Sequence, residues 1–342
     1  MRAARIHEEG DVDVVVIDDV PAPEPGPGEA RVQLRASALN HIDIWIRIGK
    51  PSRPKPHTLG ADGAGVIDAL GPGVTGLELG AEVVINPGLF CGTCSECRRG
   101  EQSLCEQLRV MGEHTNGTHA DYCCVPVQNL HPKPDRLSWP EAAAYPLSFA
   151  TAWRMLVSRA QLRSGEWVLV WGAGSGVGSA AVSIAAALGA RVIATASRAE
   201  TLAAARTFGA EHTIDHANDN VLAAVREITG GRGVDVVFEH VGEATWKISI
   251  EALRKGGRLV TTGATTGGNP PAQIHRIFWK QLSILGSTMA SDADFRAVTD
   301  LIARGRAHPI VDSVLPLERV RDAQRRLEAG LQIGKIVLGR EL

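Results

Sequence analysis

Short apolar runs broken by Pro and Gly fill the first third of the chain, and a different rhythm takes over after about residue 165. Up to about residue 128 the runs at 12–17, 31–35, 65–69 and 82–85 have strand length, and breaker segments such as 21–28 separate them. From 166 to 286, apolar β-branched runs alternate with helix-period stretches. The pattern predicts strands at 167–171, 191–196, 212–214, 234–238, 258–262 and 282–285, and helices at 179–188, 200–208, 221–228 and 245–254. Strands that are apolar on both faces and joined by helices imply a parallel sheet covered on both sides. Gly189, Gly209 and the pair Gly230-Gly231 stand where such helices end in a left-handed residue. The tail predicts helices at 294–304 and 317–329 and a strand at 335–338. That strand has no partner in the tail and is expected to return to the N-terminal domain. The fold class is α/β, a β-rich domain plus a doubly wound parallel-sheet domain.

Length supports two domains, since 342 residues exceed one typical core. A formal net charge of −2 gives no reason to expect nucleic acid as a partner. No apolar run is long enough to span a bilayer, so no membrane association is expected. The opening Met1-Arg2-Ala3-Ala4 lacks the apolar core of a signal peptide, and a cytoplasmic protein is expected. Thiols stay reduced there, so clustered cysteines read as metal ligands. Cys91, Cys94, Cys97 and Cys105 follow C-x2-C-x2-C-x7-C, a spacing that closes a tetrahedral thiolate shell around one zinc ion. Four thiolates leave no open position, so this zinc is expected to be structural and to hold a lobe at about 88–108. Cys123 and Cys124 read as strand residues.

The strand at 167–171 runs into Gly172-Ala173-Gly174-Ser175-Gly176-Val177-Gly178, and a small-residue helix follows. Backbone amides at such a helix start receive a pyrophosphate, so Gly174, Ser175, Gly176 and Val177 are expected to hold a dinucleotide. The strict G-x-G-x-x-G spacing is not met at any register. The next strand ends Ala196-Ser197-Arg198 with no acid at its tip to bond ribose hydroxyls. Ser197 and Arg198 suit a 2′-phosphate instead, which favours NADP(H) over NAD(H). The ends of the next strands bring Val241, Gly242 and Gly263 to the coenzyme.

With Gly60-Ala61-Asp62-Gly63-Ala64-Gly65, the cysteine lobe, the glycine turn and the terminal Gly334-Lys335-Ile336-Val337-Leu338, the whole chain resembles the medium-chain dehydrogenase/reductase superfamily. The resemblance implies a GroES-like catalytic domain from residues 1–128 and 288–342, a Rossmann domain at 129–287, and Lys335 among the coenzyme-binding residues. In the zinc alcohol dehydrogenases of that superfamily a catalytic zinc is held by a Cys before x-x-Asp, a His in Gly-His-Glu, and a further Cys or Asp. Here those places read Asn40-His41-Ile42-Asp43, Gly60-Ala61-Asp62 and Pro146-Leu147-Ser148-Phe149. The segment 38–49 looks like the quinone oxidoreductase and enoyl reductase branch. That branch implies hydride transfer from NADPH to the β-carbon of a conjugated carbonyl compound, without a catalytic zinc.

The residues expected to act on the small-molecule substrate are Asn40 as an amide donor, His41 as a proton donor, Asp43 as an orienting group and Trp45 as a pocket wall. His114 and His119 are further loop candidates. The run Arg47, Lys50, Arg53, Lys55 is a candidate attractor for an acidic substrate such as a CoA thioester. The rival readings are a zinc alcohol dehydrogenase with an irregular site and a non-catalytic NADPH-binding sensor. By resemblance the chain forms a homodimer or homotetramer, paired through the strand at 282–285.

Overall fold

The structure, a computed structural model, describes residues 1–340 and divides into two compact units. Unit 1 takes Met1–Ser148, Ser291–Ala303 and the chain from Pro309 onward; unit 2 takes Phe149–Ala290 and Arg304–His308. The boundary expected at 128/129 therefore falls early. Strand Leu130–Pro132 pairs antiparallel with Glu82–Ile85, and helix Trp139–Ala144 packs on strands of unit 1, so both stay with the first unit.

Unit 2 carries six parallel strands: Trp167–Val170, Arg191–Ala196, His212–Asp215, Val234–Glu239, Leu253–Thr261 and Ser283–Gly286. Their order across the sheet is third, second, first, fourth, fifth, sixth. This is the doubly wound order, with its switch point beside the first strand, where dinucleotides bind. The three central strands are buried on both faces because helices such as Gly176–Ala187 and Val221–Ile228 cover the sheet, and Leu169, Ile193, Val237 and Leu259 form one core.

Unit 1 holds a three-stranded sheet and a seven-stranded mixed sheet. Glu29–Ala38 is the hub of the larger one. It alternates buried and half-buried residues and pairs antiparallel with Asp62–Leu70, Tyr122–Pro126 and Lys335–Gly339. The terminal strand thus returns to the N-terminal segment, as its apolar run implies. It also has a partner in the tail, contrary to the expectation from sequence: Val311–Pro316 pairs with it in parallel. Asp312 and Ser313 interrupt the apolar pattern of that strand and hide it; Asp312 is held instead by Arg326 and the amide of Ile333. The run at 12–17 also splits, because Asp11 caps a 3-10 turn at Val12–Val14 before the strand Val15–Asp19 begins. No helix among the described residues is long and apolar enough to cross a membrane.

Candidate functional site

Strand register explains how three distant residues meet in unit 1. Ala38 faces Asp62 on one side and Val337 on the other. Continuing the second pairing two residues past the strand end sets Asn40 opposite Lys335, and the amide of Leu39 donates to the carbonyl of Ile336 on the way. The Lys335 ammonium donates to Asn40 Oδ1 at 2.5 Å and to Asp62 Oδ2 at 2.8 Å. Asn40 Nδ2 donates to the same Asp62 oxygen at 2.9 Å, and the other carboxylate oxygen accepts the amide of Leu147 at 2.7 Å. Asp62 is fully buried and Lys335 is 4 % exposed, whereas Asn40 is half-buried. Lys335, expected among the coenzyme contacts, spends its charge on this cluster.

Asp43 is buried and bonds backbone rather than His41. Its carboxylate accepts the amides of Asn40 at 2.7 Å and Gly60 at 2.9 Å, the first being the reciprocal half of a capping box on helix His41–Arg47. Burial pushes its carboxyl up, but His119 and those two amides outweigh burial and hold it below the usual range. Asp43 is therefore a positioning group for Asn40. His41 and Trp45 are half-buried on one face of that helix, with ring centroids 6.3 Å apart. His119 is no solvated loop residue: it is fully buried, 3.0 Å from Ser37 Oγ through Nδ1. The basic run is largely neutralised. Arg47 is buried against Glu328 and Gln324, Arg53 pairs with Glu113, and Lys55 pairs with Glu9, so the expected attractor for an acidic substrate reduces to exposed Lys50.

The cysteine lobe fits a zinc ion on geometry. The four Sγ atoms lie within 4.8 Å of one another, with Cys91 3.5 Å from Cys105 and 3.9 Å from Cys97. A Zn–S bond of about 2.3 Å gives a tetrahedral S···S edge of about 3.8 Å. Backbone amides of Thr93 and Cys94 donate to Cys91 Sγ, which lowers its thiol to about 6 and favours the thiolate a metal needs. Among the described residues no other group of three or more His, Cys, Asp or Glu has metal-binding geometry.

In unit 2 the glycine turn fits a dinucleotide. Ser175 caps helix Gly176–Ala187 by accepting the amide of Gly178 at 2.9 Å, which leaves the first-turn amides of Gly176 and Val177 without intrahelical acceptors. A Cβ on Gly178 would stand 2.2 Å from the carbonyl oxygen of Gly172, so no other residue keeps this tight turn. Thr195 ties the turn to the second strand through the amides of Gly172 and Ala173. Ser197 is exposed, and Arg198 is the residue that caps helix Ala199–Thr207, its guanidinium 3.2 Å from Thr201 Oγ1. Val241 and Gly242 donate both amides to buried Glu239, which also accepts from Thr245 and Ser249. Gly242 has φ +101, and a Cβ there would stand 2.4 Å from the carbonyl oxygen of Gly267. Gly263 also has a positive φ, +73.

Residues 26–135 match the alcohol dehydrogenase GroES-like domain, and residues 176–304 match the zinc-binding dehydrogenase family. Crotonyl-CoA reductase from Streptomyces avermitilis is 35% identical over 94% of this chain and 80% of its own length. The chain belongs to the medium-chain dehydrogenase/reductase superfamily. A crystal structure of an NAD-dependent alcohol dehydrogenase is 47% identical, covers 99% of both chains and superposes with a TM-score of 0.96. A crotonyl-CoA carboxylase/reductase solved with NADP is 27% identical over 99% of this chain and 94% of its own, with a TM-score of 0.93.

By the resemblance, the three ligand places of the zinc alcohol dehydrogenases fall at Asn40, at Ala61 and near Pro146-Leu147-Ser148-Phe149, where this chain has a carboxamide, a methyl group and no Cys or Asp. A cation already sits on Asp62, and Asp43 is taken up by the amides of Asn40 and Gly60. These residues do not fit a catalytic zinc. The sequence places Lys335 among the coenzyme-binding residues and does not foretell its pairing with Asn40 and Asp62. Thr195 has no role expected from sequence; Glu239 and His240 belong to the strand end expected to line the coenzyme, and His240 Nε2 lies 2.8 Å from the carbonyl oxygen of Trp171 beside the glycine turn. Their one signal was position at strand ends.

Proposed function

We propose that this dehydrogenase/reductase is an NADPH-dependent reductase of a conjugated carbonyl compound, an enone, enoyl thioester or quinone, and that its zinc is structural. The observation that carries the reading is the Asn40–Asp62–Lys335 cluster at the metal-ligand places. It offers a fixed amide donor and no open metal site. Bound NADPH supplies a hydride, which reaches the β-carbon of the acceptor. Asn40 Nδ2 donates to the oxygen on which negative charge grows, the stabilisation a conjugated acceptor needs. With an enone or enoyl thioester, half-buried His41 returns a proton to the α-carbon, giving the saturated carbonyl compound and NADP+; with a quinone the proton goes to oxygen and the product is the hydroquinone. The crotonyl-CoA reductase relative supports an enoyl acceptor. Arg198, with no acid at the strand tip, supports the 2′-phosphate.

Alcohol oxidation is the second reading, favoured by the 47% identity to an NAD-dependent alcohol dehydrogenase. One steady-state screen separates the two: NADPH and NADH against enones, enoyl thioesters and quinones, and NADP+ and NAD+ against alcohols, with zinc counted per chain. We expect turnover of a conjugated acceptor with NADPH and about one zinc ion. Alcohol turnover that chelation abolishes, with two ions per chain, overturns the reading. Arg198→Ala is expected to weaken NADPH binding about tenfold in a fluorescence titration and to leave NADH unchanged.

The same reading takes the protein as a homodimer in a reducing, cytoplasmic compartment. Strand Ser283–Gly286 is an open sheet edge, and beside it helix Ile274–Lys280 exposes Ile274, Phe278 and Trp279 by 71, 60 and 66%. Apolar side chains grouped beside an open edge suit a second copy. Light scattering is expected to give a dimer mass for the native chain and a monomer mass for Trp279→Asp; a monomeric native chain overturns this.

A further inference from the structure

Donor and acceptor chemistry leaves one arrangement for the Asn40 side chain. An ammonium only donates, so the atom 2.5 Å from Lys335 Nζ is the carboxamide oxygen. An ionised Asp62 only accepts, so the atom 2.9 Å from its Oδ2 is the carboxamide nitrogen. That nitrogen has a second proton. Among the described residues its one other hydrogen-bond partner is the carbonyl oxygen of Ala38 at 3.5 Å, the limit of a hydrogen bond. The half-buried carboxamide therefore holds an amide proton without a strong acceptor, at the place where zinc-dependent members of the superfamily hold their first metal ligand.

We propose that Lys335 is a positioning residue for the reaction: it fixes the Asn40 carboxamide so that this second amide proton meets the substrate oxygen, the task a metal ion performs in the zinc-dependent relatives. The inference rests on the reductase reading above. Asp62 is fully buried, and Lys335 is the cation that balances it. Without Lys335 the Asn40 carboxamide oxygen loses the donor that fixes it. The carboxamide is then free to turn and to carry its second amide proton away from the substrate oxygen. Lys335 thus acts through Asn40, from 295 residues away in sequence.

A double-mutant cycle on the full chain tests this. Asn40→Ala is expected to lower kcat about 100-fold, the scale of losing one oxyanion donor. Lys335→Met is expected to lower it about tenfold, and the double variant to lose no more than Asn40→Ala alone. Lys335→Arg keeps the charge and restores most of kcat, while NADPH affinity stays within about twofold in every variant. Losses that multiply, or an NADPH affinity about tenfold weaker in Lys335→Met, overturn the inference and make Lys335 a coenzyme ligand. If Lys335→Met does not fold, Asp62→Asn with Lys335→Met removes both charges and takes its place in the cycle. A readout independent of turnover is the side-chain amide resonance of Asn40 in the coenzyme-free protein. Loss of Lys335 is expected to shift it, and an unchanged resonance overturns the inference. A native chain that turns over no conjugated carbonyl compound sinks the reductase reading and this inference together; multiplicative losses in an active enzyme sink this inference alone.

Discussion

Replacing Cys97 by Ser is expected to take the zinc content from about one ion per chain towards zero and to expose the lobe to proteolysis. Cys97 is buried, caps nothing and donates its amide to Cys94 Sγ at 3.5 Å, so its thiolate has no role apart from the shell. Structural zinc sites of this kind are worth about 10–16 kcal/mol of apparent binding free energy, far more than the few apolar contacts of the lobe can replace. The lobe has little else: helix Ser95–Arg98 is a single turn, and the strand pair Gly88–Leu89 with Arg109–Val110 is two residues long on each side. Metal analysis with limited proteolysis checks this. The structural assignment also predicts that brief chelation which spares the fold leaves kcat unchanged. A variant that keeps its zinc, or a kcat that falls in step with metal while the fold is intact, contradicts the assignment.

Gly178→Val is expected to weaken coenzyme binding by about 100-fold or more, and Gly178→Ala by about tenfold. The reason is local and steric. The new Cβ meets the Gly172 carbonyl at 2.2 Å, and that oxygen cannot retreat because Thr195 holds the turn through Gly172 and Ala173. The turn must open, and the first-turn amides of Gly176 and Val177 swing out of register for a pyrophosphate. Isothermal titration with NADPH, together with circular dichroism to show an intact fold, measures it. Unchanged affinity in Gly178→Val excludes this turn as the coenzyme site.

Much of unit 2 is legible in the sequence because its elements are local. The runs at 191–196 and 221–228 coincide with Arg191–Ala196 and Val221–Ile228. The four-cysteine spacing points to a lobe that indeed gathers four thiols. The rest depends on pairings that periodicity does not encode. Val311–Pro316 is a strand because Lys335–Gly339 lies beside it, although Asp312 and Ser313 spoil its pattern. Arg47 reads as a solvated cation and is buried, because Glu328 and Gln324 come from a helix at the other end of the chain. Asn40 and Lys335 meet only through the register of a central strand with its neighbours. At Gly242 the backbone of Gly267 leaves no room for a side chain, a constraint set by chain that lies beyond the strand and helix it joins.

The discontinuous path of unit 1 has a kinetic corollary. Leu39 and Ile46 share a hydrophobic core with Val320, Ile336 and Leu338, so much of that core closes only across gaps of nearly the whole chain. Long loop closure slows assembly, whereas unit 2 is almost contiguous and its helices form next to the strands they cover. During synthesis the nucleotide-binding half can therefore mature while its companion still waits, open at one sheet margin, for the segment that delivers Lys335.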